Sequence, residues 1–194
     1  MFDSLIASII KWDQKIWYRL NVSGQNTPMN HLAPYLRNPW TWAPLYLFLA
    51  VFIPYKFGKK GFYWCLGFLI TFALSDYTSA SILKPWVQRI RPCNDPVLSK
   101  TVHLLVDCGS GYSFPSTHAT NHFALAFFML ISLHKQYKWV WLPALLWACA
   151  VAYAQVYVGV HYPLDVFCGA ILGSLIGWAS GRFFVHKVGL SKSK

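Results

Sequence analysis

Acidic residues are scarce in this chain: six Asp and Glu stand against seventeen Lys and Arg over 194 residues, and charged residues of both signs make up only 12%. A soluble domain of this size carries about twice that charged fraction, so composition argues against a soluble globular fold. Period-two alternation with polar lumen positions is also lacking, which argues against a transmembrane β-barrel. The first twenty residues contain Lys11, Asp13, Gln14 and Lys15 and no small-residue cleavage site, so no removable signal peptide is expected. There is no C-x-x-C pair and no Cys/His spacing suited to zinc. The net charge of +11 is not gathered into a basic, aromatic-interleaved groove, so nucleic acid is not an expected partner.

Apolar and aromatic residues are abundant, at 56% and 18% of the chain. Several apolar runs approach the roughly 20 residues that a helix needs to cross a bilayer. The expected fold is all-α, a polytopic membrane helix bundle. Spans are expected near residues 40–55, 62–84, 116–134, 139–158 and 163–185. Residues 4–20 place Leu5, Ile6, Ile9, Ile16, Trp17 and Leu20 on one helical face, while Lys11, Asp13 and Lys15 interrupt any span. That pattern suits an amphipathic helix lying in the interface. A linker with Gly24, Pro28, Pro34 and Pro39 is expected to follow it. The chain thus divides into an interfacial helix and linker (1–39), a transmembrane domain (40–185) and a basic cytoplasmic tail (186–194).

Five spans put Lys56, Lys59, Lys60, Lys135, Lys138, Arg182, Lys187, Lys192 and Lys194 on one side, with no acid beside them. That side is cytoplasmic by the positive-inside rule. The polar loop at 85–114 and the turn at His161 then share the opposite, periplasmic or exterior, side. Insertion of the N-terminal helix as a sixth span would move the N-terminus and leave these segments in place. Gly169, Gly173, Gly177 and Gly181 recur every fourth residue along the last span and predict a close helix seam. Asp165, one step upstream on that stripe, should face the bundle. Cys65, Cys149 and Cys168 lie within spans as small apolar residues. Cys93 and Cys108 share the outer loop, either as free thiols or, in an oxidising compartment, as a disulfide closing about 16 residues and worth roughly 3 kcal/mol.

Three clusters converge on the outer side. In "KPWVQRIRP", Lys84 and Arg91 bracket six residues; cations at a span end can equally be snorkelling to the interface. In "FPSTHATNH", Ser116 reads as a helix N-cap with His118 in the first turn, where free backbone N–H groups favour an anion such as phosphate. His118 and His122 are four apart, but Ala119 follows the first, so the zinc-protease pattern fails and no metal site is expected. In "HYPLD", Pro163 suits a first helical position and Asp165 lies one turn past His161, close enough to fix its tautomer and leave the other nitrogen nucleophilic. Two imidazoles, a carboxylate, two cations and a helix start together describe a phosphate site.

The set Lys84-x6-Arg91-Pro92, Pro115-Ser116-x-His118 and His161-x3-Asp165 resembles the type 2 phosphatidic acid phosphatase superfamily in order, spacing and placement at span ends, over roughly residues 40–185. The resemblance implies a metal-independent membrane lipid-phosphate phosphatase that needs no cofactor and passes through a phosphohistidine. It implies that His161 attacks phosphorus, oriented by Asp165, and that His118 protonates the leaving group. Lys84, Arg91, Ser116 and backbone N–H groups would hold the phosphoryl oxygens, and vanadate would mimic the transferring group. Polyprenyl diphosphate, phosphatidylglycerophosphate and lipid A phosphates are the implied substrates, in a bacterial inner membrane. Two motifs depart from the family pattern. Thr117 stands where the family has Gly, and Ala154 and Gln155 stand where it has Ser-Arg, the Arg position six residues before the His. Losing that bidentate contact to the transition state costs on the order of 3 kcal/mol, or about a hundredfold in rate. Arg89 or Lys100 are the loop cations available to substitute.

Asp76, an acid inside the second span, either supports the site from below or belongs to a structural polar network. Gln155 also keeps a second reading open, a catalytically impaired protein that binds or transports anionic lipid. A third is a phosphotransferase that passes the phosphoryl group to another lipid or sugar. The sequence carries no signal for oligomeric state.

Overall fold

The computed structural model describes residues 2–190, with side chains from Ser4. It is helical throughout, with no strand among the described residues. Helix α1 (Phe2–Trp17) continues through a π-helical turn, Tyr18–Ser23. Helix α2 (Thr27–Arg37) is followed by a 3-10 turn, Pro39–Trp42, and then α3 (Ala43–Phe57). Helix α4 (Lys59–Asp76) runs on through π-helical Tyr77–Leu83 into α5 (Lys84–Val87). After the outer loop come α6 (Thr117–Leu133), α7 (Trp141–Tyr157) and α8 (Pro163–Lys187). The basic tail therefore begins as helix, and Lys192 and Lys194 lie outside the described residues.

The expected linker is corrected: its second half is α2. Asn26 caps this helix by accepting from the Met29 backbone N–H at 3.0 Å. Pro28 sits in the first turn, where its missing N–H costs nothing. Pro34 lies inside the helix and forfeits one internal bond, which packing against α7 offsets through fully buried Ala33, Ala154 and Tyr157. The Tyr157 hydroxyl accepts from Asn26 N–H at 3.0 Å and donates to Asn30 Oδ1 at 2.7 Å, fixing α2 to the end of α7.

The five-span expectation is met only in part. Two helical segments are long and apolar enough to cross a membrane, one starting at Lys59 and the other α8. Helices α3, α6 and α7 have 15, 17 and 17 residues, short of the roughly 20 that span a hydrocarbon core unaided. Helices α3 and α4 form a tight hairpin joined through Gly58 alone, whose φ of +56° is open to glycine and costly for other residues.

The glycine stripe makes the seam expected of it. Helices α6 and α8 are the most closely packed pair. A Cβ at Gly169 would lie 2.8 Å from the Ser116 carbonyl, and at Gly173 and Gly177 it would run into the carbonyls of Thr120 and Ala124. Beside this seam Trp64, Phe68, Phe128 and Phe184 form an aromatic core, with Trp64 Nε1 donating to Ser132 Oγ at 2.7 Å. Forcing a methyl group into this contact pushes two backbones apart. Gly173→Ala should therefore lower stability by about 1–3 kcal/mol, measured by unfolding of the detergent-solubilised protein, whereas Gly109→Ala in the open outer loop should cost only its local backbone strain.

Candidate functional site

A cavity of about 630 Å³ opens among α2, α3, α4 and α6, and it has two unlike ends. Lys84, Arg91, Arg37, Thr117, His118 and His161 line one end; Tyr46, Leu49, Phe68, Leu69, Phe72 and Leu125 line the other. The three clusters picked out in the sequence thus meet in one space, which a bundle achieves by ending α5, starting α6 and turning from α7 into α8 at the same level.

His161 sits in the turn between α7 and α8, which Gly159 bends with a φ of +89°. Its imidazole is 2% exposed and still reaches the cavity. Nδ1 lies 3.5 Å from Asp165 Oδ2, an ion-pair distance somewhat longer than a good hydrogen bond. Such contacts commonly tighten when substrate binds. With Nδ1 turned toward the carboxylate, Nε2 is the nitrogen left for chemistry. Burial pushes the imidazole down to about 4, against the opposing pull of Asp165, so the ring is neutral at physiological pH.

Asp165 is wholly buried and heavily committed. Its Oδ2 accepts from the Ser113 hydroxyl and from the Tyr162 backbone N–H at 2.8 Å, closing a capping box at the start of α8. Its Oδ1 accepts from Arg89 Nη1 at 2.6 Å. Arg89 extends the chain of contacts: Nη2 donates to Asp13 Oδ2 at 2.5 Å, and the guanidinium lies 4.1 Å from the Tyr162 ring centroid. Asp13 Oδ1 accepts in turn from the Leu164 N–H at 2.8 Å. Arg89 is therefore held away from the cavity by two carboxylates and is not placed to substitute at a phosphate; Lys100 is likewise absent from the lining.

Sequence reading missed Asp13. In sequence it reads as a charge interrupting an interfacial helix, yet it is 5% exposed and supports the start of α8. Trp17, on the same helix and fully buried, packs against Tyr162 with ring centroids 6.2 Å apart. The signal available was the register: Asp13 and Trp17 are four apart, on one face of a helix otherwise rich in exposed Leu and Ile.

The remaining residues divide clearly. Lys84 Nζ donates to the Tyr112 carbonyl at 3.0 Å, and Arg91 Nε to the Gly111 carbonyl at 3.3 Å, so the outer loop holds both cations over the cavity. That loop is cross-linked by the Cys93–Cys108 disulfide, with Cα atoms 5.9 Å apart. Ser116 occupies the N-cap position of α6 but makes no capping bond; its hydroxyl, like that of Thr117, is buried without a partner. His122 turns Nδ1 to the His118 carbonyl at 2.8 Å and stacks edge-on against Trp147. Asp76 lines the cavity and accepts from Asn121 Nδ2 at 2.9 Å, while Asn121 Oδ1 accepts from Ser75 at 2.8 Å, so it belongs to both the site and a polar network. Gln155 does not join the site: it is fully buried in α7, off the lining, with Nε2 3.5 Å from its own helix's Val151 carbonyl. Among the described residues no group of three or more His, Cys, Asp or Glu could hold a metal ion.

The PAP2 superfamily model matches residues 62–188, and the chain belongs to that superfamily. A lipid A 4'-phosphatase from Bacteroides thetaiotaomicron is 33% identical over 155 residues, covering 76% of this chain and 65% of that protein. An undecaprenyl-diphosphatase from Sulfolobus acidocaldarius is 32% identical over 155 residues, covering 80% of this chain and 68% of that one. The chain spans a little under two thirds of the lipid A 4'-phosphatase's length. The crystal structure of a transmembrane PAP2-type phosphatidylglycerolphosphate phosphatase from Bacillus subtilis superposes with a TM-score of 0.67 at 24% identity, covering 93% of this chain and 88% of that one, and shares the fold.

Removing the Asp13 carboxylate leaves one arm of a half-buried guanidinium and the Leu164 N–H without their acceptor. Asp13→Ala should lower stability by about 2 kcal/mol, measured by chemical unfolding in detergent, and Asp13→Asn should recover part of it by still accepting from Leu164.

Proposed function

We propose that this protein is a membrane lipid-phosphate phosphatase whose His161 forms a phosphohistidine. The observation that carries the reading is the two-ended cavity: an imidazole with its carboxylate, a second imidazole and unpaired cations at one end, and a chamber of aliphatic and aromatic side chains directly beneath. A phosphorylated head suits the first end and a hydrocarbon tail the second. Family membership and the names of the relatives agree with this division.

The chemistry follows from the placement of the groups. The neutral His161 Nε2 lone pair attacks phosphorus in line with the departing oxygen, and Asp165 stabilises the ring as it becomes positive. Lys84, Arg91, the Thr117 hydroxyl and the free N–H groups at the start of α6 take the phosphoryl oxygens, while the unpartnered Ser116 hydroxyl sits next to them just off the cavity lining. Dispersed positive charge of this kind is the main requirement of phosphoryl transfer. His118 donates a proton to the leaving oxygen, then removes one from the water that cleaves the N–P bond. No step in this account requires a metal.

In this reading five helices cross a bacterial inner membrane, with α1 at the interface and the cavity's polar end at the periplasmic or exterior face. The sorting of nine Lys and Arg to the opposite loops and tail, without an acid, supports that orientation.

Phosphate release from a panel of lipid phosphates tests the reading. Wild type should turn over, His161→Ala should lose on the order of a thousandfold or more, and vanadate should inhibit. A silent wild type across the panel would favour an anionic-lipid binding protein, and label found on an acceptor lipid would favour a phosphotransferase. The pH profile supplies a separate check. The nucleophile is the unprotonated ring and its depressed value is about 4, so kcat/KM should show no loss from this group as pH falls from 7 to 5, then drop about tenfold per unit below 4.

A further inference from the structure

Arg37 is the cavity residue that the sequence left unassigned. It ends α2, where its guanidinium lines the polar end of the cavity and makes no hydrogen bond or ion pair with any described residue. Its charge repels Arg91 and His118, and Asp107 is the acid that draws it. Arg37 thus shares the polar end of the cavity with His118, the imidazole assigned above to the leaving group, and its charge acts on that ring. Arg37 and Arg91 line one cavity and neither is ion-paired among the described residues, so their mutual repulsion is relieved when an anion joins them.

We propose that Arg37 binds an anionic leaving group, so that the preferred substrate is a lipid diphosphate losing its terminal phosphoryl group. The inference rests on the phosphatase reading above and narrows it. As the His161 Nε2–P bond forms, the bridging P–O bond breaks and its electron pair departs on the oxygen of the lipid monophosphate. Water then attacks the phosphohistidine, a P–O bond replaces the N–P bond, the electron pair returns to His161, and inorganic phosphate leaves. An alcohol leaving group needs a proton above all. A phosphate leaves as an anion and needs countercharge. Arg does not surrender its proton in proteins, so at this position it can serve the second need and not the first. Its planar fork also matches two phosphate oxygens, which a point charge does not. Since Gln155 is buried off the cavity and Arg89 is held by two acids, α2 is the element that brings this extra guanidinium to the site.

The test compares full-length wild type, Arg37→Gln and Arg37→Lys on farnesyl diphosphate and farnesyl monophosphate, which share a tail. The ratio of the two kcat/KM values should fall about tenfold in Arg37→Gln, the worth of one charge-assisted contact, with Arg37→Lys in between. Isothermal calorimetry with inorganic pyrophosphate and phosphate reads the same preference without turnover. Wild type should favour pyrophosphate by about tenfold or more, and Arg37→Gln should abolish the preference. An unchanged substrate ratio, or equal affinity of wild type for the two anions, overturns the proposal. A wild type that hydrolyses neither lipid defeats the phosphatase reading, while calorimetry still decides what Arg37 binds.

Discussion

The bridge from Asp165 through Arg89 to Asp13 is the constraint on which the site depends. A carboxylate buried to zero exposure beside an imidazole is costly unless its oxygens are satisfied. Here every contact also has a second consequence. The Tyr162 N–H fixes the first turn of α8, the Ser113 hydroxyl anchors the outer loop, and Arg89 carries the connection to α1. The carboxylate beside His161 is thereby tied to three separate parts of the chain. His161 is buried next to it and still lines the cavity.

Much of this was legible in the sequence because it was periodic or local. The four-residue glycine repeat specified a face, and that face packs on the backbone of α6. Lys84, His118, His161 and Asp165 stand out because each lies at or beside a helix end, where polar groups in an apolar chain have few other reasons to be, and Arg91 follows in the loop four residues past α5. Ser116 was placed at the N-cap correctly, but its hydroxyl does not cap; the position was readable and the bond was not.

The parts that were not legible depend on contacts distant in sequence. Prolines and a glycine concealed α2, since the same residues that mark a linker also start helices, and only packing on Tyr157 decides between them. With α2 hidden, Arg37 could not be assigned. Asp13 looked like a surface charge because its partners lie 76 and 151 residues away. Gln155 shows the opposite failure: its place in a motif suggested the site, and its burial removes it from the cavity. The span count is only partly readable for a similar reason, because helix length and neighbouring helices jointly determine which segments cross.

The residues of the bridge are widely spread along the polypeptide, one near its start, one midway and one at the opening of the final helix. During synthesis the early helices can insert while the carboxylate behind His161 does not yet exist. Asp13 is made first, yet its partners Arg89 and the Leu164 N–H follow 76 and 151 residues later, so the bridge closes only once the last helix has begun and is among the final contacts open to the folding chain.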